Sequence, residues 1–175
     1  MSDALTSRYN NSFKNVVDGI NKKKKDKKVK ILQAPMGFGK THNLITVWIP
    51  YLYEKTNVQV IVITAPMSDI VADNVKKLKK TGIDNGFIGT TDIAEAIEFM
   101  EDGDKVVLYV TNKMLFATDS DMPNKFKSKI IDTEFAILDD EFHAWTASSG
   151  NNYKEVLGHS GGKFKASMYR TLEEF

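Results

Sequence analysis

The amino-acid sequence predicts an α/β domain of three layers, in which helices cover both faces of a mainly parallel β-sheet. Segments rich in β-branched residues alternate along the chain with segments whose apolar residues recur at helical spacing. The clearest strand, residues 58–65, is apolar at nearly every position, which is typical of parallel strands covered on both faces. No internal repeat and no Pro/Gly/Ser-rich linker interrupts the 175 residues, so a single domain over residues 1–175 is predicted.

The predicted strands and helices follow one another in alternation. Strands are predicted at residues 29–34, 58–65, 104–111 and 133–139. Helices are predicted at residues 7–20, 41–55, 68–80 and 92–102, and in the tail from about residue 152. Pro50 should kink or interrupt the second helix near its end, and Ser68 is a suitable cap for the third. Right-handed crossovers would place the loops that follow the strands at one edge of the sheet, where ligands bind.

The composition excludes several classes of function. The chain contains no cysteine, which rules out disulfides, thiolate metal sites and cysteine nucleophiles. It has only three histidines, so a dedicated zinc site is not expected. The N-terminus lacks the apolar stretch of a signal peptide, and the longest apolar run is too short to span a bilayer. We therefore expect a cytoplasmic protein without a membrane partner.

A lysine-rich run lies at residues 21–30, with seven lysines and one aspartate. It is either a solvated loop or a contact for the phosphate backbone of nucleic acid, because clustered lysines displace condensed counterions. No aromatic residue interrupts the run, so it offers no platform for stacking bases. The run alone is weak evidence for nucleic-acid binding.

A glycine-rich loop, "APMGFGKT" at residues 34–41, lies between a predicted strand and a predicted helix. Gly37 and Gly39 allow the backbone to turn its N–H groups inward, and the helix dipole favours an anion there. Lys40 can reach the β- and γ-phosphates, and the hydroxyl of Thr41 can complete a magnesium shell. The loop predicts ATP and Mg²⁺ as cofactors, bound by Met36, Gly37, Phe38, Gly39, Lys40, Thr41 and His42. A glycine-rich turn without a phosphate is the alternative.

An acidic segment, "FAILDDEFH" at residues 135–143, begins as an apolar strand and ends in three acids. Carboxylates at a strand end beside a phosphate site can hold magnesium and position the attacking water. We favour a register in which the functional segment runs from Asp140 to His143. A register that begins one residue earlier, at Asp139, is the alternative.

Together these two segments resemble the nucleotide motifs of superfamily-two helicases and translocases, which include restriction-enzyme translocating subunits and many phage helicases. "AxxGxGKT" is the variant of the phosphate loop found there, and Ala34 fits it; "DEFH" resembles the D-E-x-H box. The resemblance implies a P-loop NTPase fold of the RecA-like type, the first such domain of a helicase. It implies catalytic roles for Lys40, Asp140, Glu141 and His143. Asp140 and Thr41 would coordinate Mg²⁺, Glu141 would be the general base for water, and His143 would link nucleotide state to a partner domain.

Weaker similarities extend this resemblance along the chain. "ITAPMSDIVADNV" and "VLYVTNKML" resemble two motifs that contact the nucleic-acid backbone, which implicates Pro66, Met67, Ser68 and Thr111. The alternative is ordinary strand–loop–helix connections. "SRYNN" resembles the adenine-reading segment, with Tyr9 to stack on the base and Asn10 to bond its edge. For Asn10 the alternative is a simple helix cap.

The second half of such a motor is not recognisable in these 175 residues. The Ser-Ala-Thr motif and the second RecA-like domain with its arginine finger have no convincing copy, and Arg8 and Arg170 are the only arginines. We therefore expect a truncated, split or partial protein that pairs with a second RecA-like domain in cis or in trans. The isolated chain should hydrolyse ATP weakly or not at all, because an arginine finger contributes about 10³- to 10⁵-fold in rate.

The preferred hypothesis is the N-terminal ATPase motor domain of a DExH-type helicase or translocase that moves along DNA or RNA. One alternative is another P-loop enzyme, such as a small-molecule or nucleotide kinase. The scarcity of arginine and the acidic segment both disfavour it, since kinases need a basic lid. The other alternative is a non-catalytic nucleic-acid-binding module.

Overall fold

Helices pack on both faces of a four-stranded parallel sheet in the computed structural model, which describes residues 3–22, 39–115 and 120–140. The strands are β1 Val60–Ala65, β2 Ile88–Thr90, β3 Val106–Thr111 and β4 Phe135–Asp139. Their order across the sheet is β2-β3-β1-β4, and all three pairs are parallel. The predicted fold class is confirmed.

The helical segments connect the strands or precede them. They are α1 Asp3–Lys22, α2 Lys40–Asn43, a π-helical turn Leu44–Trp48, α3 Ile49–Lys55, α4 Ser68–Asn85, α5 Ile93–Glu101, α6 Asn112–Leu115 and α7 Asp121–Ile130. The second predicted strand and the helices that begin near residues 68 and 92 are found close to their expected places. The predicted strand 29–34 and the helical tail lie outside the described residues.

Two hydrophobic cores lie on the two faces of the sheet. Alternate side chains of β1 and β3 point to opposite faces, because successive residues of a strand do so. The first core includes Ile63 and Tyr109 with apolar residues of α1, α3, α4 and the π-helical turn. The second core includes Val62 and Leu108 with apolar residues of α5 and α7. All six residues of β1 are buried, which explains why its sequence is a nearly continuous apolar run.

Aromatic rings anchor α1 on the segment that follows the glycine-rich loop. Phe13 stacks on Trp48 with ring centroids 4.5 Å apart and planes 5° apart. Tyr9 lies against the same indole at 5.0 Å, tilted by 49°. Such pairs stabilise by about 0.5–1.5 kcal/mol beyond the area they bury. The N-terminal helix is thereby attached next to the candidate phosphate site.

Pro50 does not end the helix in which it lies. The helical path continues through α3 to Lys55, and the change falls before the proline, in the π-helical turn. There the N–H of Ile49 donates to the carbonyl of Leu44, five residues earlier. A proline ring clashes with the carbonyl four residues before it in a regular helix, and the wider turn relieves this clash. The α-helical pattern is therefore interrupted by a local widening just before the proline.

The prediction for the start of α4 is wrong in detail, and three elements were not predicted. Ser68 is the first helical residue and Met67 holds the cap position, with no side-chain cap bond. The helix also runs five residues further than expected, to Asn85, where Gly86 at φ 72 ends it. β2 and α6 were missed because they have only three and four residues, and α7 because few of its ten residues are apolar.

Candidate nucleotide site

A hydrogen bond joins the start of α2 to the end of β4. The hydroxyl of Thr41 donates to Oδ2 of Asp140 at 2.7 Å, although the two residues are 99 positions apart in the sequence. Asp140 is 4% exposed, so this carboxylate lies almost wholly inside the protein. A hydrogen bond to an ionised carboxylate is roughly twice as strong as one between neutral groups. The predicted metal-binding pair, Thr41 and Asp140, is therefore in direct contact.

The backbone of the sheet places Asp140 at this position. Its N–H donates to the carbonyl of Thr64 at 2.8 Å, which extends the pairing of β4 with β1 by one residue. Ala136 and Leu138 pack against the first core. Asp140 follows them at the same spacing of two, so its side chain projects toward the same face.

Gly39 supplies the backbone conformation from which α2 begins. It has φ 67 and ψ 33, the left-handed region that favours glycine. Lys40 is the first residue of α2 and is half-buried, whereas His42 is exposed. The other predicted loop residues, Met36, Gly37 and Phe38, lie outside the described residues. The predicted catalytic residues Glu141 and His143 lie outside them as well.

The oxygen atoms brought together here suit magnesium. A carboxylate and a hydroxyl are hard ligands, and a hydroxyl that donates its proton to Asp140 still has lone pairs for a cation. Within the described ranges no three His, Cys, Asp or Glu side chains form a group that could hold a metal. Magnesium beside nucleotides is bound through one or two protein ligands together with phosphates and water, so this small donor set fits it.

A chain of amide hydrogen bonds, which we call the amide relay, links α1 to the glycine-rich loop. The indole Nε1 of Trp48 donates to Oδ1 of Asn10 at 2.8 Å. Nδ2 of Asn10 donates to Oδ1 of Asn43 at 3.2 Å. Nδ2 of Asn43 then donates to the carbonyl of Gly39 at 3.0 Å. The side chains of Trp48 and Asn43 are buried, so these bonds satisfy polar groups that would otherwise be costly.

The amide relay bears on the two residues predicted to recognise adenine. Asn10 lies in the interior of α1, so its interpretation as a helix cap is wrong. Tyr9 is half-buried and lies against Trp48. Sequence patterns missed Asn43 and Trp48 as members of this region. The available signal was a polar residue, Asn43, directly before the apolar run of the helix.

The four predicted nucleic-acid contacts lie together at the same edge of the sheet. Pro66, Met67 and Ser68 follow β1, and Thr111 ends β3 in register with Ala65 of β1. Met67 is 57% exposed and Ser68 is exposed as well. The N–H of Met114 donates to the hydroxyl of Thr111 at 3.2 Å, which caps the short helix α6. Met67 and Ser68 are therefore open to solvent, and the side-chain hydroxyl of Thr111 bonds a near neighbour in sequence.

In this parallel sheet, a buried acid at the end of one strand is bonded to the first helical turn after a glycine. This arrangement is typical of α/β domains that bind nucleotides. A family model described as "Type III restriction enzyme, res subunit" matches residues 4–169. The chain therefore belongs to this family, whose members are helicase-like ATPase motor domains. No curated protein and no solved structure matches the chain. Among the helices of the described residues, none is both long and apolar enough to span a membrane.

Proposed function

We propose that the chain is the N-terminal ATPase motor domain of a DExH-type nucleic-acid helicase or translocase. It works with a second RecA-like domain, in cis or in trans, to couple ATP hydrolysis to movement along DNA or RNA. The observation that supports this most directly is the hydrogen bond from Thr41 to Asp140. It brings the end of the glycine-rich loop to the end of the acidic strand, and a motor needs the two side by side.

The proposed roles follow from the chemistry of each side chain. Lys40, at the first turn of α2, neutralises the β- and γ-phosphates of ATP. Thr41 and Asp140 provide the protein oxygens for Mg²⁺, which when bound neutralises charge on the phosphate oxygens. Glu141 is the general base that accepts a proton from the attacking water, and His143 transmits the nucleotide state to the second domain.

Adenine recognition is assigned to Asn10 of the amide relay and to its neighbour Tyr9. Asn10 can donate two hydrogen bonds and accept two, and its bonds to Trp48 and Asn43 use half of this capacity. The remaining donor and acceptor would serve the edge of the base, with Tyr9 stacking on its face. The rest of the nucleotide site comprises Met36, Gly37, Phe38, Gly39 and His42.

Nucleic acid is proposed to bind where β1 and β3 end, through Pro66, Met67, Ser68 and Thr111. β1 lies between the two sites: it pairs with β3 on one side and with β4 on the other. The carbonyl of Thr64 bonds Asp140 one residue before β1 ends at Ala65. A ligand at the end of β1 is thus one residue from the strand contact that holds the acid.

Titration of the chain with a fluorescent ATP analogue, with and without Mg²⁺, tests this function. Lys40→Ala should weaken binding at least tenfold, because the compensating charge for the phosphates is lost. Lys55→Ala is the matched control, since Lys55 lies further along the same helical path with a largely exposed side chain bonded to Glu54. If Lys40→Ala leaves binding of the ATP analogue unchanged, the proposed ATPase function is wrong. Transfer of phosphate from ATP to a nucleoside or sugar would replace it with a kinase.

A further inference from the structure

Tyr109 places a hydroxyl beside the same carboxylate oxygen that Thr41 bonds. Its side chain is completely buried in the first core, on β3. The hydroxyl lies 3.5 Å from Oδ2 of Asp140, 31 positions away in the sequence. β1 lies between the two strands, with Tyr109 in register with Ile63. The phenol therefore reaches across one strand to the end of the next.

Packing alone does not account for a tyrosine at this position. Interior positions of parallel strands are usually filled by valine, isoleucine or leucine, and the neighbouring Ile61, Ile63 and Val107 follow this rule. A buried tyrosine hydroxyl needs a polar partner, and here the carboxylate of Asp140 is within reach. At 3.5 Å the contact is longer than an ordinary O–H···O bond, so Thr41 at 2.7 Å is the stronger donor.

We propose that Tyr109 is a positioning residue for Asp140 in magnesium binding. The inference rests on the proposed function of this site. Thr41 has two tasks, donation to Asp140 and ligation of the metal, whereas Tyr109 is buried in the core and contacts the carboxylate from inside the protein. Its hydroxyl keeps Oδ2 of Asp140 in one orientation when Thr41 adjusts to the metal. Loss of a hydrogen-bond partner of a ligating carboxylate typically lowers metal affinity by about 10- to 100-fold.

The test compares two substitutions in the first core, each of which removes the hydroxyl group of one tyrosine. Tyr109→Phe removes the hydroxyl next to Asp140 and retains the ring. Tyr53→Phe is the matched control, because Tyr53 is also buried and its hydroxyl donates to the carbonyl of Val106 on the same strand at 2.7 Å. Burial raises the pKa of Tyr53, so this hydroxyl remains a neutral donor at ordinary pH. Only Tyr109→Phe removes a contact with the acid.

The measured quantity is the Mg²⁺ concentration at half-maximal binding of a fluorescent ATP analogue. Tyr109→Phe should raise this midpoint about tenfold, the lower end of the expected range because the contact is long. Binding of the analogue without Mg²⁺ should not change. Tyr53→Phe should leave the midpoint within about twofold of the wild type. Both variants should melt a few degrees lower, because each loses a buried hydrogen bond.

Combination with Asp140→Asn separates positioning from a general structural effect. Asp140→Asn should raise the midpoint, and adding Tyr109→Phe should raise it no further, because the two residues act as a unit. An unchanged midpoint in Tyr109→Phe, with a raised one in Asp140→Asn, overturns the inference and leaves the proposed function intact. If neither Asp140→Asn nor Thr41→Ala changes the Mg²⁺ midpoint, both the proposed function and the inference are wrong.

A melting curve recorded without nucleotide checks that each variant is folded. If Tyr109→Phe is unfolded, the same change is made in the Asp140→Asn background, where no buried negative charge requires a donor. Recovery of folding in that background supports a direct link between Tyr109 and the carboxylate. Failure to recover shows that the phenol serves only the core, and it overturns the inference.

Discussion

Two groups of side chains lie at the same edge of the sheet, and they differ in how they are held. The acid end consists of Asp140 with Thr41 and Tyr109, and it is joined by bonds between residues 31 and 99 positions apart. The open end consists of Met67, Ser68 and Thr111, where the bond at Thr111 spans only three residues. Asp140 is 4% exposed, whereas Met67 is 57% exposed.

This difference shows which end is preorganised by the fold. A buried polar group that loses its partner costs about 1–3 kcal/mol, so the geometry of the acid end is enforced by the stability of the domain. Exposed side chains such as those of Met67 and Ser68 can exchange a protein partner for water at little cost, so substitutions of these two residues usually change stability by less than about 0.5 kcal/mol. The acid end suits a small ion and a phosphate, and the open end suits a large ligand that approaches from solvent.

Among the substitutions that compare the two ends, Thr41→Ala is expected to have the largest effect on nucleotide binding. The change removes the short hydrogen bond to a buried carboxylate and one proposed metal ligand. We expect Mg²⁺-dependent binding of an ATP analogue to weaken about 100-fold, with a melting temperature several degrees lower. Thr46→Ala is the matched control on the same helical path, since its hydroxyl donates to the carbonyl of His42 at the surface. Thr41→Ser should recover most of the binding. If Thr41→Ala and Thr46→Ala lose the same affinity for the ATP analogue, the bond between Thr41 and Asp140 has no particular role in nucleotide binding.

A smaller effect is expected when the amide relay is cut by Asn43→Ala. The change leaves an amide N–H of Asn10 without its partner and removes one of two hydrogen bonds to the carbonyl of Gly39, which keeps the backbone N–H of residue 43, at a cost of about 1–3 kcal/mol. Binding of the ATP analogue should weaken several-fold, because Gly39 loses a support. Asn74→Ala in α4 is the control: Asn74 makes the same kind of bond, to the carbonyl four residues earlier, and within the described residues its side chain has no long-range hydrogen bond. Chemical unfolding and nucleotide titration of the two variants measure this difference, and indistinguishable variants would contradict a role for the relay.

The smallest effect on stability is expected at the open end, in Thr111→Ala. The substitution removes the cap on α6, worth about 1 kcal/mol, and one proposed contact with the nucleic-acid backbone. Affinity for single-stranded DNA or RNA should fall a few-fold at moderate salt, while binding of the ATP analogue stays unchanged. Thr111→Ser preserves the hydroxyl and should behave as the wild type. A loss of nucleotide binding comparable to that of Thr41→Ala would mean that the two ends are not energetically separate.

The elements that the sequence predicted well are those with long, regular apolar patterns. β1 and β3 are buried on both faces, so their continuous apolar runs are easily recognised. β2 has only three residues and lies at the edge of the sheet, so no periodic pattern marks it. The π-helical turn was also invisible, because Pro50 indicates a disturbance but not the way in which the helix absorbs it.

The candidate site divides in the same manner. Gly39, Lys40 and Thr41 are contiguous, and their conformation depends on local backbone sterics, so their pattern alone predicted a phosphate loop. The favoured register of the acidic segment, with Asp140 as the metal-binding acid, was likewise inferred from neighbouring residues and remains a prediction for function.

The sequence by itself determined the fold class, the positions of the main strands and the two segments of the candidate site, the glycine-rich loop and the acidic segment. These depend on patterns within a few turns of chain, where propensity and hydrophobic spacing act. Only the tertiary structure decided that Thr41 bonds Asp140, that Tyr109 lies beside the same oxygen and that the amide relay joins α1 to Gly39. Apart from the bond of Asn43 to Gly39, these contacts cross 31 to 99 positions and arise from the register of parallel strands and the docking of α1, which no local pattern specifies.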